Sequence, residues 1–426
     1  MIFSPYDVAL ARRDAEKRPV RVAILGAGNL ARMISLQLSD PAPPGIRLVC
    51  LANRTLSNAS ALMAELGVSA KEVSSDATLA DCVRSGAVAI TDNPTLVATS
   101  SLVDVLVDAT GSVDYSLSVV LAAIEARKHI VLANAELDST LGPVLSTRAQ
   151  AAGVVYTNID GDEPGVAMNL VRYTRSIGLR PVAAGNLKGM IDPYRNPETQ
   201  AAFAREHGQN PRIVTSFADG TKLSMELAIL ANATGFKVGQ PGMYGPECKH
   251  VQEIADLLPS NEMLKHGLVD YALGAAPHTG AFVVVHEGIP ARKRLLKYLK
   301  MGDGPFYVFY TPYHLPHIQA VATIGRAVET NDPTVAPLAG PVCQVIAHAK
   351  KPLAEGESLD GPGGFTCFGK IENVQPASEL GQGLPVALSH GCILKRALSR
   401  DDRITLADVD VPETSLAIKF WRNSLA

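Results

Sequence analysis

The chain has 426 residues, 47% hydrophobic and 19% charged, with a formal net charge of −3. That length predicts two to three domains and enough apolar residue to bury a sizeable core. The balanced charge, with no basic block, excludes a nucleic-acid footprint, and no stretch approaches the ~18 apolar residues that a membrane span needs. Six cysteines (Cys50, Cys82, Cys248, Cys343, Cys367 and Cys392) are scattered with no C-x-x-C spacing. They read as reduced thiols with no zinc signature. With no basic-then-apolar leader at the start, a cytoplasmic protein is expected. The Lys/Arg-dense stretch from Arg292 to Lys300 reads as a solvated helix face or linker.

Residues 3–18 pattern as an amphipathic helical arm that Pro19 ends. The apolar run Val20–Leu25 then reads as a buried strand leading into Gly26-Ala27-Gly28-Asn29-Leu30-Ala31 and a helix with Leu30, Ile34 and Leu38 on one face. A G-x-G-x-x-A string in that strand-to-helix context is a dinucleotide-binding fingerprint. Gly26 serves the tight turn, Gly28 lets the backbone approach a pyrophosphate, and the phosphates sit at the helix N-terminus. The second strand, 46–52, ends in Asn53-Arg54 where an acid would bind the ribose of NAD. Arg54 can instead pair with a 2′-phosphate through its planar fork, so the expected cofactor is NADP(H).

Residues 55–66 suit a helix, and the long stretch 75–99 carries a short strand at 87–91. A strand from Val103 to Asp108 runs into the turn Ala109-Thr110-Gly111; a helix at 114–127 and a strand at 130–134 follow. Ligands of open parallel sheets sit at the carboxyl ends of strands. Ala109, Thr110, Gly111 and Asn134 therefore join Gly26, Gly28, Asn29, Leu30, Asn53 and Arg54 as expected cofactor contacts, with Glu136 close by. Beyond residue 157 helical patterns (166–177, 198–207, 223–235) alternate with strand-like ones (212–218, 281–286, 306–310). The expected plan is an α/β protein: a Rossmann domain over 1–157, an α+β substrate domain over 158–339, and a small β-rich module over 340–426. A helix at 314–330 can pack back on the first domain. Two similar phrases, 342–357 and 393–405, each read as a strand, a polar turn and a returning apolar residue.

Several polar groupings carry potential chemistry. Asp160-Gly161-Asp162-Glu163-Pro164-Gly165 puts three acids on a Gly/Pro turn before a helix. They can bind a divalent cation or substrate hydroxyls, or Asp162 and Glu163 can simply favour the helix N-terminus. The segment 185–197 reads as a loop in which Lys188 can reach a carbonyl or phosphate and Arg195 a phosphate. Lys222 and Glu226 stand one helical turn apart, a spacing that equally suits a surface ion pair. Asn232 and His314 complete the candidate substrate contacts, and His314, at a helix start, is also suited to a capping or core role.

Gly26-Ala27-Gly28, Asp108-Ala109-Thr110-Gly111, Gly161-Asp162-Glu163-Pro164, Ala231-Asn232-Ala233-Thr234-Gly235, Pro312-Tyr313-His314-Leu315 and the repeat after 342 together resemble a known family. It is the homoserine-dehydrogenase-like oxidoreductases with a C-terminal SAF domain, and within it the DXR-like (DRL) proteins. In homoserine dehydrogenases an Asn-Lys pair follows the strand ending near 134, and its lysine is taken as catalytic. Here Asn134-Ala135-Glu136 stands instead, which argues against homoserine as substrate. The resemblance implies NADPH-dependent conversion of 1-deoxy-D-xylulose 5-phosphate to 2-C-methyl-D-erythritol 4-phosphate, a step of isoprenoid biosynthesis. On this reading Lys188 would hold the substrate's oxygens or phosphate, Asp162 and Glu163 would bind hydroxyls or a divalent ion such as Mg or Mn, and Glu136 would serve as acid/base or orienter beside the nicotinamide. The family's Gly-Lys-Gly-Lys-Asn-Asn loop stands here as Gly185-Asn186-Leu187-Lys188-Gly189-Met190, so another substrate on the same scaffold is a second expectation. That substrate would be a sugar derivative or a semialdehyde. A non-catalytic NADP-binding sensor is a third. Expected partners are a small-molecule substrate and further copies of the chain, as a homodimer or homotetramer.

Overall fold

The computed structural model describes residues 5–39, 42–375 and 381–424. They form two compact units, one of Met1–Asp162 with Leu315–Ala336, the other of Glu163–His314 with Pro337–Ala426. No helix among the described residues is long and apolar enough to cross a membrane.

The first unit is built on seven parallel strands: β1 (Val20–Leu25), β2 (Ile46–Ala52), β3 (Ala70–Glu72), β4 (Val88–Thr91), β5 (Val105–Asp108), β6 (His129–Leu132) and β7 (Tyr156–Asn158). Their order is β3-β4-β2-β1-β5-β6-β7, so the winding reverses between β1 and β5. That reversal opens the crevice in which such sheets bind nucleotides. Near-continuous apolar strands such as β5 are buried on both faces, as a helix-covered parallel sheet requires. Helix Pro316–Glu329 joins this core through Ala320 and Ile324, beside Leu10 of helix Pro5–Ala15. Arg13 pairs with Glu329 across the two helices. Sequence patterning passes over Ala135–Ala152, yet an 18-residue helix forms there, and the Asn134 side chain accepts the Leu137 N–H at 3.0 Å as its N-cap.

The second unit contains β8 (Arg180–Lys188), β9 (Leu268–Leu273), β10 (Ala281–His286) and β11 (Phe306–Thr311) in the order β11-β10-β8-β9. Residues 211–218, which alternate like a strand, instead form helix Pro211–Ala218. Asn210 caps it by accepting the Arg212 N–H, and Pro211 suits its first turn. Val214, Thr215, Ser216 and Ala218 are buried, and the exposed Ile213 and Phe217, four apart, mark the opposite face at helical spacing. The segment expected as a loop from 185 begins with four strand residues, 185–188.

The β-rich residues after 337 belong to this second unit and do not separate from it at 340. Helix Thr221–Thr234 packs on the hairpin of β12 (Cys343–Ala349) and β13 (Cys367–Asn373). Thr221 accepts the Gly369 N–H at 2.8 Å, and the Asn232 carbonyl oxygen accepts from Val342 and Cys343 at 2.8 and 2.9 Å. The two similar phrases pair with each other, Leu353 and Leu398 exchanging backbone hydrogen bonds of 2.9 and 3.0 Å. Below them, Lys350 is buried and donates to Asp219 at 2.8 Å, to the Arg195 carbonyl at 2.7 Å and to the Gly364 carbonyl at 2.8 Å. Removing one partner of such a pair strands a buried charge. Lys350→Ala should therefore cost about 3–5 kcal/mol in urea unfolding, more than the double change Lys350→Met, Asp219→Leu.

Two further buried carboxyls set a pH dependence. Asp108 and Asp270 are fully buried, and burial raises each from 3.8 to about 6, against the hydrogen bonds both accept. Between those values the unfolded chain releases protons that the folded chain keeps, so stability falls as pH rises from about 4 to about 6 and then levels. At ~1.36 kcal/mol per pH unit the loss is about 3 kcal/mol for each group. Unfolding free energies measured across pH 4–7 should show that decline, and Asp270→Asn should roughly halve it, leaving the part due to Asp108.

Candidate functional site

In the first unit the nucleotide fingerprint has the backbone its chemistry needs. Gly26 has φ +107°, and a Cβ there would lie 2.9 Å from the Ala109 carbonyl oxygen, so no other residue fits. Gly28 precedes helix Asn29–Gln37 and is exposed, and a Cβ on it would meet nothing within 4 Å. Gly28 and Asn29 are exposed at the start of that helix, whose first amides lack intrahelical acceptors and suit a pyrophosphate. Asn53 donates to the Thr55 carbonyl at 2.8 Å, and the exposed Arg54 guanidinium lies 5.3 Å from the ring centre of Tyr115. That aromatic support for Arg54 is not visible in sequence patterning.

Across the crevice, Asn134 is engaged within the fold. Its amide nitrogen lies 3.1 Å from Asp108 Oδ2 and 3.2 Å from Thr110 Oγ1, while its oxygen caps the following helix. Side-chain contact between Asn134 and a cofactor would break this network. Gly111 is exposed, Ala109 half-buried, and Glu136 half-buried in the first turn of helix Ala135–Ala152. Asp160 does not turn into a cleft: it pairs with Arg326 at 2.9 Å, and its amide donates to Thr323 at 2.7 Å. Asp162 is the last residue of this unit.

The second unit gathers Glu163, Lys188, Glu226 and His314. Lys188 ends β8, where Asn186 and Lys188 share one face by strand alternation and Leu187 enters the core. Lys188 Nζ is 2.9 Å from Glu163 Oε1 and 3.5 Å from Glu226 Oε2. Glu163 begins helix Glu163–Ser176 and does more than complement its dipole. His314 Nε2 lies 3.7 Å from the same Glu163 oxygen, and its Nδ1 is 2.9 Å from the Thr279 hydroxyl. Glu226 is buried, not on the surface, and accepts from Asn186 at 2.8 Å. Asn186 was not singled out by sequence patterning, although its two-residue spacing from Lys188 is the signal that would have found it.

Two buried carboxylates are the hard oxygen donors that Mg or Mn take. The Asn186 side-chain oxygen beside them is buried without a hydrogen-bond partner, a third acceptor awaiting a donor or cation. Immediately after Lys188, Gly189, Met190 and Ile191 line a cavity of about 780 Å³ with Cys248 and Lys249. The remaining candidates stand elsewhere. Arg195 pairs with Asp192 at 3.0 Å, Asn232 is committed to β12, and Lys222 is half-buried in the first turn of its helix.

Residues 26–158 match the family model described as homoserine dehydrogenase, NAD binding domain, and residues 161–320 match oxidoreductase DRL, catalytic domain. No curated protein matches the chain. A homoserine dehydrogenase from Thiobacillus denitrificans is similar in structure at 15% identity, over 91% of this chain and 97% of that one, with TM-score 0.45. A DOX-P reductoisomerase solved with fosmidomycin and magnesium has 16% identity over 72% of this chain and 79% of that one, with TM-score 0.37. A probable dehydrogenase from Thermotoga maritima has 12% identity over 74% and 90%, with TM-score 0.39. Two consecutive segments of the chain are thus similar to a homoserine dehydrogenase NAD binding domain and to an oxidoreductase DRL catalytic domain.

Proposed function

We propose that the chain is an NADP(H)-dependent oxidoreductase acting on a small phosphorylated or polyhydroxylated carbonyl compound, most specifically as a 1-deoxy-D-xylulose 5-phosphate reductoisomerase. The carrying observation is the Lys188 ammonium held between Glu163 and Glu226 at 2.9 and 3.5 Å. In this reading Lys188 donates to the substrate's carbonyl or hydroxyl oxygen and offsets the negative charge that develops there. Glu163, linked to His314, holds or accepts a proton at its Oε1 atom, the role of a general acid–base pair. Glu226 and Asn186 fix the approach of the lysine, and Glu163 with Glu226 would hold a divalent cation. NADPH supplies the hydride when bound, and the positive φ of Gly26 with the open face of Gly28 supports its pyrophosphate. Arg54, exposed and backed by Tyr115, supports preference for the 2′-phosphate.

NADPH oxidation followed against a panel containing 1-deoxy-D-xylulose 5-phosphate, other sugar phosphates and aspartate semialdehyde tests the substrate. Turnover of the first compound is expected. Turnover of another panel member alone would replace the specific assignment, and cofactor binding with no turnover would make the chain a sensor. Lys188→Ala should lower kcat roughly 100-fold or more with the NADPH dissociation constant unchanged. Near-normal turnover would remove Lys188 from the chemistry. Arg54→Ala should raise KM for NADPH roughly tenfold and leave KM for NADH nearly unchanged, the loss of one charged hydrogen bond.

A further inference from the structure

Helix Glu163–Ser176 and strand β8 are joined by a short turn, so they meet at both ends. Glu163 and Lys188 form the ion pair at one end; Arg175 and Arg180 mark the other. Eight residue steps of extended strand, roughly 26 Å, separate Arg180 from Lys188. At the far end lies a cavity of about 370 Å³ whose floor includes Phe236 and Met263 and whose rim carries Arg175, Arg180, Lys265 and His266. The Arg180 guanidinium is oriented by a 2.6 Å hydrogen bond to the Leu264 carbonyl. Among the described residues, neither Arg175, Arg180 nor Lys265 has a carboxylate partner.

Helix dipoles account for only part of this charge. Arg175 ends one helix, and Lys265 and His266 end another, Ser260–His266. Each carbonyl end carries at most about half a negative charge, against three permanent cations, and Arg180 sits on a strand. Burial is the main cause that holds His266 below its usual value; Glu262 opposes it, and Lys237 and Lys265 add smaller lowering effects. Glu262 also accepts from the Tyr244 hydroxyl at 2.9 Å.

We infer that this cavity binds a small molecule bearing at least two negative charges, as phosphate or carboxylate, on a partly apolar body. Guanidinium forks pair with both anions through two parallel hydrogen bonds. A volume of about 370 Å³ lies within the range of pockets that take small metabolites. The apolar floor would cover the uncharged part of the ligand.

The test is calorimetric titration of the full chain, saturated with NADP so that its nucleotide crevice is filled. Inorganic pyrophosphate and citrate are the two probes, separating phosphate from carboxylate. Saturable one-to-one binding of at least one probe is expected. The double variant Arg175→Glu, Lys265→Glu should weaken it roughly 30-fold or more, with Tm and NADPH turnover unchanged. Lys188→Ala should leave it intact, which separates this site from the catalytic one. If the double variant does not fold, the single exposed change Lys265→Ala should still weaken binding roughly fivefold. Absence of saturable binding by either probe, or binding that ignores these substitutions, overturns the proposal.

Discussion

One ammonium between two carboxylates governs the second unit. Glu163 and Glu226 are each about 95% or more buried, and neither can remain ionised there without a partner. Lys188 reaches both, and it is carried to that point by a strand whose own packing leaves little freedom. A Cβ on Gly185 would lie 1.6 Å from the Asp270 carbonyl oxygen. Only glycine therefore lets β8 and β9 approach in the register that places Asn186 beside Tyr271 and Lys188 beside Leu273. The close approach, the alternation of Asn186 and Lys188, and the start of helix Glu163–Ser176 are one constraint seen from three segments of chain. Breaking it anywhere leaves a charge without its partner.

The first unit rests on a different economy, of backbone and not of charge. Gly26 turns where a side chain would strike Ala109, and Gly28 leaves the helix N-terminus open. These two requirements lie within three residues, so they are legible in sequence. The same is true of the strands β1, β2 and β5, whose apolar runs are long enough to mark burial on both faces. What patterning passes over is instructive. Helix Ala135–Ala152 has a proline inside it at Pro143 and glycine at Gly142, both poor helix formers, and is held by its Asn134 cap and by tertiary packing. Helix Pro211–Ala218 reads as a strand because Ile213, Val214 and Thr215 are β-branched, while the Asn210-Pro211 start signal decides the outcome.

Legibility of the candidate site groups follows the same division. Glu163 and Lys188 were visible as chemistry because they stand at an element's start and end. Glu226 was visible only as the neighbour of Lys222 on a helix, since nothing local shows that its face turns inward. Asn232 and Arg195 have the residue types of substrate contacts, yet one holds β12 through two backbone amides and the other pairs with Asp192. Residue type gives what a side chain can do. Which partner it meets depends on contacts more than a hundred residues away, as between Asn232 and Cys343.

Lys188 and Lys350 each meet carboxylates, and comparing them shows why one is read as a candidate site and the other as a fastening. Lys350 has three N–H donors and three acceptors, the Asp219 carboxylate and the carbonyls of Arg195 and Gly364. Its charge is balanced one to one, its donors are filled, and it is 2% exposed. Such a group has nothing left to offer a ligand. Lys188 is 21% exposed and faces two carboxylates, Glu163 and Glu226. His314 stands 3.7 Å from one of those carboxylates, and a buried Asn186 oxygen beside the other lacks a donor. A buried acceptor without a donor is a cost that folding alone does not repay. A bound cation or a ligand's hydroxyl hydrogen would satisfy it, which is what sets this cluster apart from the closed one around Lys350.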